Sequence, residues 1–214
     1  MRRVYLASLV LWVSAAANAQ PAPASTSTAA VPEATDPLWI GPQLDLMVSG
    51  SVDVEANGQT ASGNLDTAFG LGGVVEYRVS PLVTIGFAPR FAVPVKVNQA
   101  NTSGEQLDLR ARVTVGKEVA PRFRLHGIAT LGYSWIFGMF SQQNQMTGAN
   151  ESISTSGIIA GLGAGTYYTI NPHLLFVAEL SYQYGRQGTT IQNVDVRGSD
   201  TFVTFGFGLM TALQ

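Results

Sequence analysis

The chain has 214 residues, a formal net charge of -2 and no cysteine, and only 12% of its residues are charged, about half the share in an ordinary soluble domain. Disulfides, thiolate metal sites, cysteine nucleophiles and acylated-cysteine lipid anchors are thereby excluded, and the charge balance gives no basic field for nucleic acid. The length suits one domain of ordinary size, and the 23 glycines beside so few charges suit a lipid-facing surface better than a water-facing one.

Residues 1–19 read as a secretory signal peptide. Arg2 and Arg3 precede an apolar stretch from Val4 to about Val13, and Ala17-Asn18-Ala19 stands before Gln20. The apolar core is too short for a spanning helix, which needs about 20 residues, so export with cleavage after about Ala19 is expected. Residues 20–37 (QPAPASTSTAAVPEATDP) are Pro/Ala/Ser/Thr-rich with almost no large apolar side chain, and predict a disordered periplasmic leader.

From residue 38 to 214 the pattern changes to segments of apolar alternation separated by breaks. Eight strands are predicted, at about Trp39–Ser49, Leu65–Arg78, Leu82–Val97, Glu105–Val119, Arg122–Phe140, Ile153–Tyr168, His173–Arg186 and Asp200–Leu213. Three breaks are tight Pro turns, at Ser80-Pro81, Ala120-Pro121 and Asn171-Pro172. The other four, Gly50–Asn64, Asn98–Gly104, Ser141–Ser152 and Gln187–Ser199, are polar and longer, and predict loops. Short and long breaks alternate strictly. This is the asymmetry of an outer-membrane β-barrel with its short turns in the periplasm and four loops outside, and no uninterrupted apolar run offers a helical alternative.

Each strand places alternate side chains on opposite faces. In the last, Val203, Phe205, Phe207 and Leu209 alternate with Thr204, Gly206, Gly208 and Met210. Aromatic residues gather at the ends of the apolar register, as expected where lipid meets water. Tyr77, Phe123 and Tyr168 mark a periplasmic belt, and Tyr133, Trp135, Phe137, Tyr182 and Tyr184 an outer one. The opposite register carries Asp45, Glu76, Arg78, Arg90, Lys96, Asp108, Arg110, Arg112, Glu118, Arg124, His126 and Glu179, interleaved with glycines and with inward Val74, Ile128, Ile136, Ile159, Leu175 and Val177. An eight-stranded barrel is just wide enough for its side chains to fill. Small residues beside long ionic ones are what that space requires.

With its signal, strand count, turn asymmetry and charged inner register, the chain resembles the OmpA/OmpX-type outer membrane β-barrel family. The resemblance implies an all-β fold, a closed antiparallel eight-stranded transmembrane barrel with up-and-down meander topology, in the bacterial outer membrane. It also implies lipid and lipopolysaccharide as surroundings, periplasmic chaperones and the barrel-insertion machinery as partners during biogenesis, and a monomer. Members commonly end in Phe, whereas this chain ends Ala212-Leu213-Gln214, and the peptidoglycan-binding domain that follows the barrel in OmpA has no counterpart in the sequence.

No catalytic constellation is apparent. Acyl-transfer chemistry needs a nucleophile beside a base, but His173 falls on a turn, and His126 is followed in its register by Ile128 and Thr130. Two separated histidines offer no metal-ligand spacing, and the runs Gly70-Leu71-Gly72-Gly73 and Gly161-Leu162-Gly163-Ala164-Gly165 open no helix in a βαβ unit. Neither an enzymatic role nor a cofactor is expected. Near-equal numbers of inner acids and bases favour internal pairing over a selective ring, with a pair such as Glu179 and a lumen Arg either plugging the barrel or gating it. A narrow OmpW-like path for small or hydrophobic solutes is the second reading, and surface binding through the loops the third. The acids Asp53 and Glu55, or Asp195 and Asp200, could hold a cation weakly, but solvated loop residues are the better reading. A soluble lipocalin-like barrel is the rival fold, but it would leave the aromatic ends unexplained.

Overall fold

The structure, a computed structural model, describes residues 38–97, 102–143, 150–191 and 194–213. The segments expected as signal peptide (1–19) and leader (20–37) lie outside these residues. All regular structure is β: β1 (Leu38–Ala56), β2 (Gln59–Leu65), β3 (Ala68–Arg78), β4 (Val83–Val97), β5 (Thr102–Ala120), β6 (Phe123–Gln143), β7 (Asn150–Asn171), β8 (Leu174–Ile191) and β9 (Val194–Ala212). Every neighbouring pair is antiparallel, and β1 pairs with β9 to close the ring. A closed ring leaves no unpaired edge, so the backbone is satisfied without water.

Nine strands fill eight places. The lower part of β1 pairs with β3 (Leu38 with Tyr77 through Met47 with Ala68) and its upper part with β2 (Gly50 with Leu65 through Ala56 with Gln59). β2 and β3 are therefore one wall position interrupted at Asp66-Thr67. The segment Gly50–Asn64, expected as a loop, is a β-hairpin turning on Asn57-Gly58, where φ is 51° and 73°. Positive φ at both central residues is the primed turn that matches strand twist, and Asn-Gly is its preferred pair. The other long breaks are corrected in the same sense. Ladder pairing continues up to Gln143 with Asn150 and Ile191 with Val194, and β5 begins at Thr102, so much of what was expected as loop is strand rising above the belt.

At the other end the turns are as tight as the prolines suggest. Ser80 Oγ accepts from Val83 N at 3.1 Å, and Asn171 Oδ1 accepts from His173 N at 2.9 Å, both side chains closing their own turn. In the middle turn Arg122 takes φ 68°, and its N–H donates to Glu118 Oε1 at 3.2 Å. Glu118, expected in the lumen, is exposed at this rim, because its strand has run past the end of the enclosed space.

The alternation sorts side chains as chemistry requires. The outer face carries Leu162 (70% exposed), Phe69 (66%), Leu131 (62%) and Leu44 (61%) among many large apolar residues, an apolar band of a size that water-soluble surfaces do not carry. Phe123 and Tyr168 pack with ring centroids 6.1 Å apart near the short-turn end, and Tyr133 and Trp135 at 4.8 Å near the other. Phe123 and Tyr133 lie ten positions apart on β6. At about 3.3 Å per residue and a tilt of roughly 40°, that projects to about 25 Å along the barrel axis, the height of an outer-membrane apolar band.

Inside are two apolar layers. Near the short turns Trp39, Val74, Ala88, Tyr167, Leu175, Val177 and Met210 pack together. Toward the long-loop end Met47, Val52, Leu65, Ala68, Ala92, Val95, Ile136, Ile159 and Phe202 form the second. Polar and charged side chains fill the interval between them.

Candidate functional site

β5 dominates that interval. Alternation sends Gln106, Asp108, Arg110, Arg112 and Thr114 inward from this one strand, and all five are buried. Arg112 reaches across the lumen to β8, where Nη2 lies 2.5 Å from Glu179 Oε1 and Nη1 3.3 Å from Oε2, a forked pairing that fits the planar guanidinium. Its Nε lies 2.8 Å from Glu76 Oε1 on β3. Other side chains engage the two acids as well. Tyr167 OH donates to Glu76 Oε2 at 2.7 Å, Gln43 Nε2 donates to Glu179 Oε2 at 3.2 Å, and His126 Nε2 lies 3.4 Å from Glu179 Oε1. The His126 ring stacks on Tyr167, centroids 4.1 Å apart.

A second group lies toward the long-loop side. Arg90 on β4 pairs with Asp108 on β5, and both are essentially inaccessible. Gln106 Nε2 bridges Asp108 Oδ1 at 2.9 Å and Ser134 Oγ at 3.2 Å, and the Arg90 guanidinium sits 5.0 Å from the Phe202 ring centroid, within cation–π range. Arg110 spans the lumen to Asp45 on β1, with Nη2 3.7 Å from Oδ2, and donates from Nε to Ala88 O at 3.4 Å. The ion pairs thus join three guanidinium groups to four carboxylates drawn from five strands. A cavity of about 20 Å³ remains between them, bounded in part by Gln43, Asp45, Arg110, Glu179 and Gln183.

Glycine makes this packing possible where walls and side chains meet most closely. A Cβ at Gly165 would stand 2.7 Å from His126 Nε2 and 2.9 Å from Glu179 Cγ. No other residue leaves room there for both groups.

Of the ionic residues singled out from sequence, Asp45, Glu76, Arg90, Asp108, Arg110, Arg112, His126 and Glu179 meet in the lumen. Arg78 and Arg124 are partly buried nearer the short turns, Glu118 lies at the rim, and the Lys96 side chain falls outside the described residues. The aromatic residues Tyr77, Phe123, Tyr133, Phe137, Tyr168, Tyr182 and Tyr184 are exposed on the outer face, and Trp135 is half-buried there.

Composition alone did not reveal the neutral partners Gln43, Gln106, Ser134 and Tyr167. The inward register carries each of them, and for Tyr167 the signal is its place beside outward Tyr168. Asp200, expected as a solvated loop acid, is instead buried inside the barrel, because strand β9 begins before it. Asp53, Glu55 and Asp195 are exposed. Among the described residues no group of three His, Asp or Glu comes together as metal ligands.

The fold is similar to that of the outer membrane protein OprG from Pseudomonas aeruginosa, at 15% identity over 81% of this chain and 95% of that one, with a TM-score of 0.52. Looser similarity extends to Neisserial surface protein A (16% identity, 82% and 97% covered, TM-score 0.47) and to the outer membrane protease OmpT from Escherichia coli (9%, 83% and 97%, 0.46). No curated protein matches the chain in sequence. The family described as the outer membrane protein beta-barrel domain matches residues 9–210, and with its closed antiparallel ring, apolar outer band and polar interior the chain belongs to that family of the bacterial outer membrane.

Proposed function

We propose that this protein is a non-enzymatic barrel whose lumen is closed by its ionic layer, and that it serves envelope integrity or surface interaction through strands and loops that rise beyond the outer belt. The observation that carries this reading is the Arg112 bridge. One guanidinium joins acids on β3 and β8 across the lumen, and each acid is further engaged by Tyr167, Gln43 or His126. A layer in which acids and bases pair by charge offers no ring of like charge for a permeating ion. His126 supports the non-enzymatic part, since its Nε2 faces a carboxylate and its ring a tyrosine rather than a serine nucleophile.

Single-channel conductance of the refolded protein in planar bilayers tests this reading, with Glu179→Ala beside wild type. Wild type is expected to be silent and Glu179→Ala to show openings, because the Arg112 arm loses its distal anchor. Steady conductance in wild type would overturn the closed lumen.

A second reading, passage of small apolar solutes, draws support from the cavity of about 30 Å³ at the long-loop end, bounded by Val52, Leu65, Val95 and Ile136. It requires that solutes entering there bypass the ionic layer below. Saturable uptake of a small apolar solute into vesicles carrying the protein, retained in Glu179→Ala, would favour it over the closed barrel.

A further inference from the structure

The cavity near the long-loop end combines two features that rarely occur together. Its walls are apolar, with Val52, Leu65, Val95 and Ile136 among them, yet one side is formed by the carboxylate of Asp200. Asp200 is 5% exposed. Its Oδ1 accepts from Gln187 Nε2 at 3.3 Å, and Gln187 Oε1 in turn accepts from Thr155 Oγ1 at 2.6 Å. These partners are neutral. Among the described residues no cationic side chain comes within ion-pair distance of Asp200. Deeper in the barrel Arg90 is committed to Asp108 and covered by the Phe202 ring.

Elsewhere in this lumen every buried acid faces a guanidinium, as burial of charge requires. Asp200 departs from that rule beside an apolar space. Gly185 on the neighbouring strand clears the ground for its carboxyl group, since a Cβ there would clash with both oxygens. The rim beyond carries Gly188 and Gly198 beside Val54, Val196 and Ser199. The cavity lies one residue pair above Tyr184 of the outer aromatic belt, because Gly185 pairs with Asp200 and Asp200 with Val52. It therefore sits at the outer end of the barrel rather than in the membrane interior.

We propose that this cavity is a binding site for a small organic ammonium ion, whose N–H groups face Asp200 and whose hydrocarbon part lies against Val52, Leu65, Val95 and Ile136. The lone carboxylate selects positive charge, and the walls favour an alkyl group over a hydrated inorganic ion. The site is independent of whether the ionic layer beneath is a permanent plug.

The test is a methyl-detected NMR titration of the protein refolded in an uncharged detergent at pH 8, following Val52, Val95 and Ile136. The ligands are propylammonium chloride, 1-propanol and sodium chloride at matched ionic strength. Propylammonium should give saturable shifts at these methyls, with 1-propanol binding at least tenfold more weakly and sodium leaving them unmoved. Asp200→Asn should weaken propylammonium at least tenfold and leave 1-propanol unchanged. Equal binding of the alcohol and the cation, competition by sodium at equal concentration, or absence of saturable shifts would overturn the proposal. Should Asp200→Asn fail to refold, the comparison of cation with alcohol in wild type decides alone.

Discussion

At Arg112 three conditions meet that make an ion pair matter. It is buried, it is forked onto Glu179 at 2.5 and 3.3 Å, and its Nε lies within ion-pair distance of Glu76. Replacing the guanidinium by Leu leaves two buried acids facing each other without a counter-charge, so Arg112→Leu is expected to lower folding stability by about 3–5 kcal/mol, read from urea unfolding in lipid vesicles. Removing both partners is a different experiment. In Arg112→Leu with Glu179→Leu one unmatched charge is gone, and part of the loss should return. If the double variant is as unstable as the sum of the singles, the pair is not coupled as its geometry says. Gly165 supplies a steric counterpart: Gly165→Val pushes a branched side chain against His126 and Glu179 and is expected to cost about 1–3 kcal/mol in the same assay.

Among the elements, the hairpin of β1 and β2 shows what the sequence could and could not reveal. Period-two alternation exposed β6, β8 and β9 because one face of each meets lipid and the other a crowded lumen, so the two registers differ sharply in residue type. Above the outer belt neither face meets lipid. Residues 59–64 are then small and polar on both sides, the alternation fades there, and a paired strand reads as a loop. The short alternation of Val52 and Val54 with Asp53 and Glu55, and the Asn57-Gly58 dipeptide after it, were the remaining signals. The cross-lumen pairs were hidden for another reason: inward pointing is legible residue by residue, but which Arg faces which Glu depends on the stagger of strands around the ring. The hairpin yields a local prediction. A Cβ at Gly58 would meet nothing within 4 Å, so Gly58→Val costs only the backbone strain of a branched residue at positive φ, about 1–2 kcal/mol. Amide exchange in the ladder from Gly50 with Leu65 to Ala56 with Gln59 should quicken, while the β5–β6 ladder keeps its protection. Equal loosening of both would mean that the hairpin is not an independent element.

For the molecule as a whole, the decisive inversion is that a broad set of large apolar residues lies exposed on its outer face while its ionic residues are buried inside. Leu162 is 70% exposed and stands on β7 midway between Tyr168, in the short-turn belt, and Ser156, which holds the Tyr133 hydroxyl at 3.0 Å in the other. In a water-soluble barrel, exchanging such a leucine for arginine would be neutral or helpful, since the new charge would simply be hydrated. In a bilayer the same change puts a guanidinium near the middle of the hydrocarbon, at a cost of about 2–4 kcal/mol. Leu162→Arg should therefore lower the stability of the vesicle-embedded barrel by that amount, measured as a shift in the urea midpoint, and should do so without touching the lumen, because alternation keeps residue 162 on the opposite face from Gly161 and Gly163. Thr60→Arg, on β2 above the belt and exposed, serves as the paired control and should leave the midpoint within about 0.5 kcal/mol of wild type. A depth-dependent penalty of this form follows only if lipid covers the band, so equal midpoints for the two arginine variants would contradict the placement of this face in the membrane.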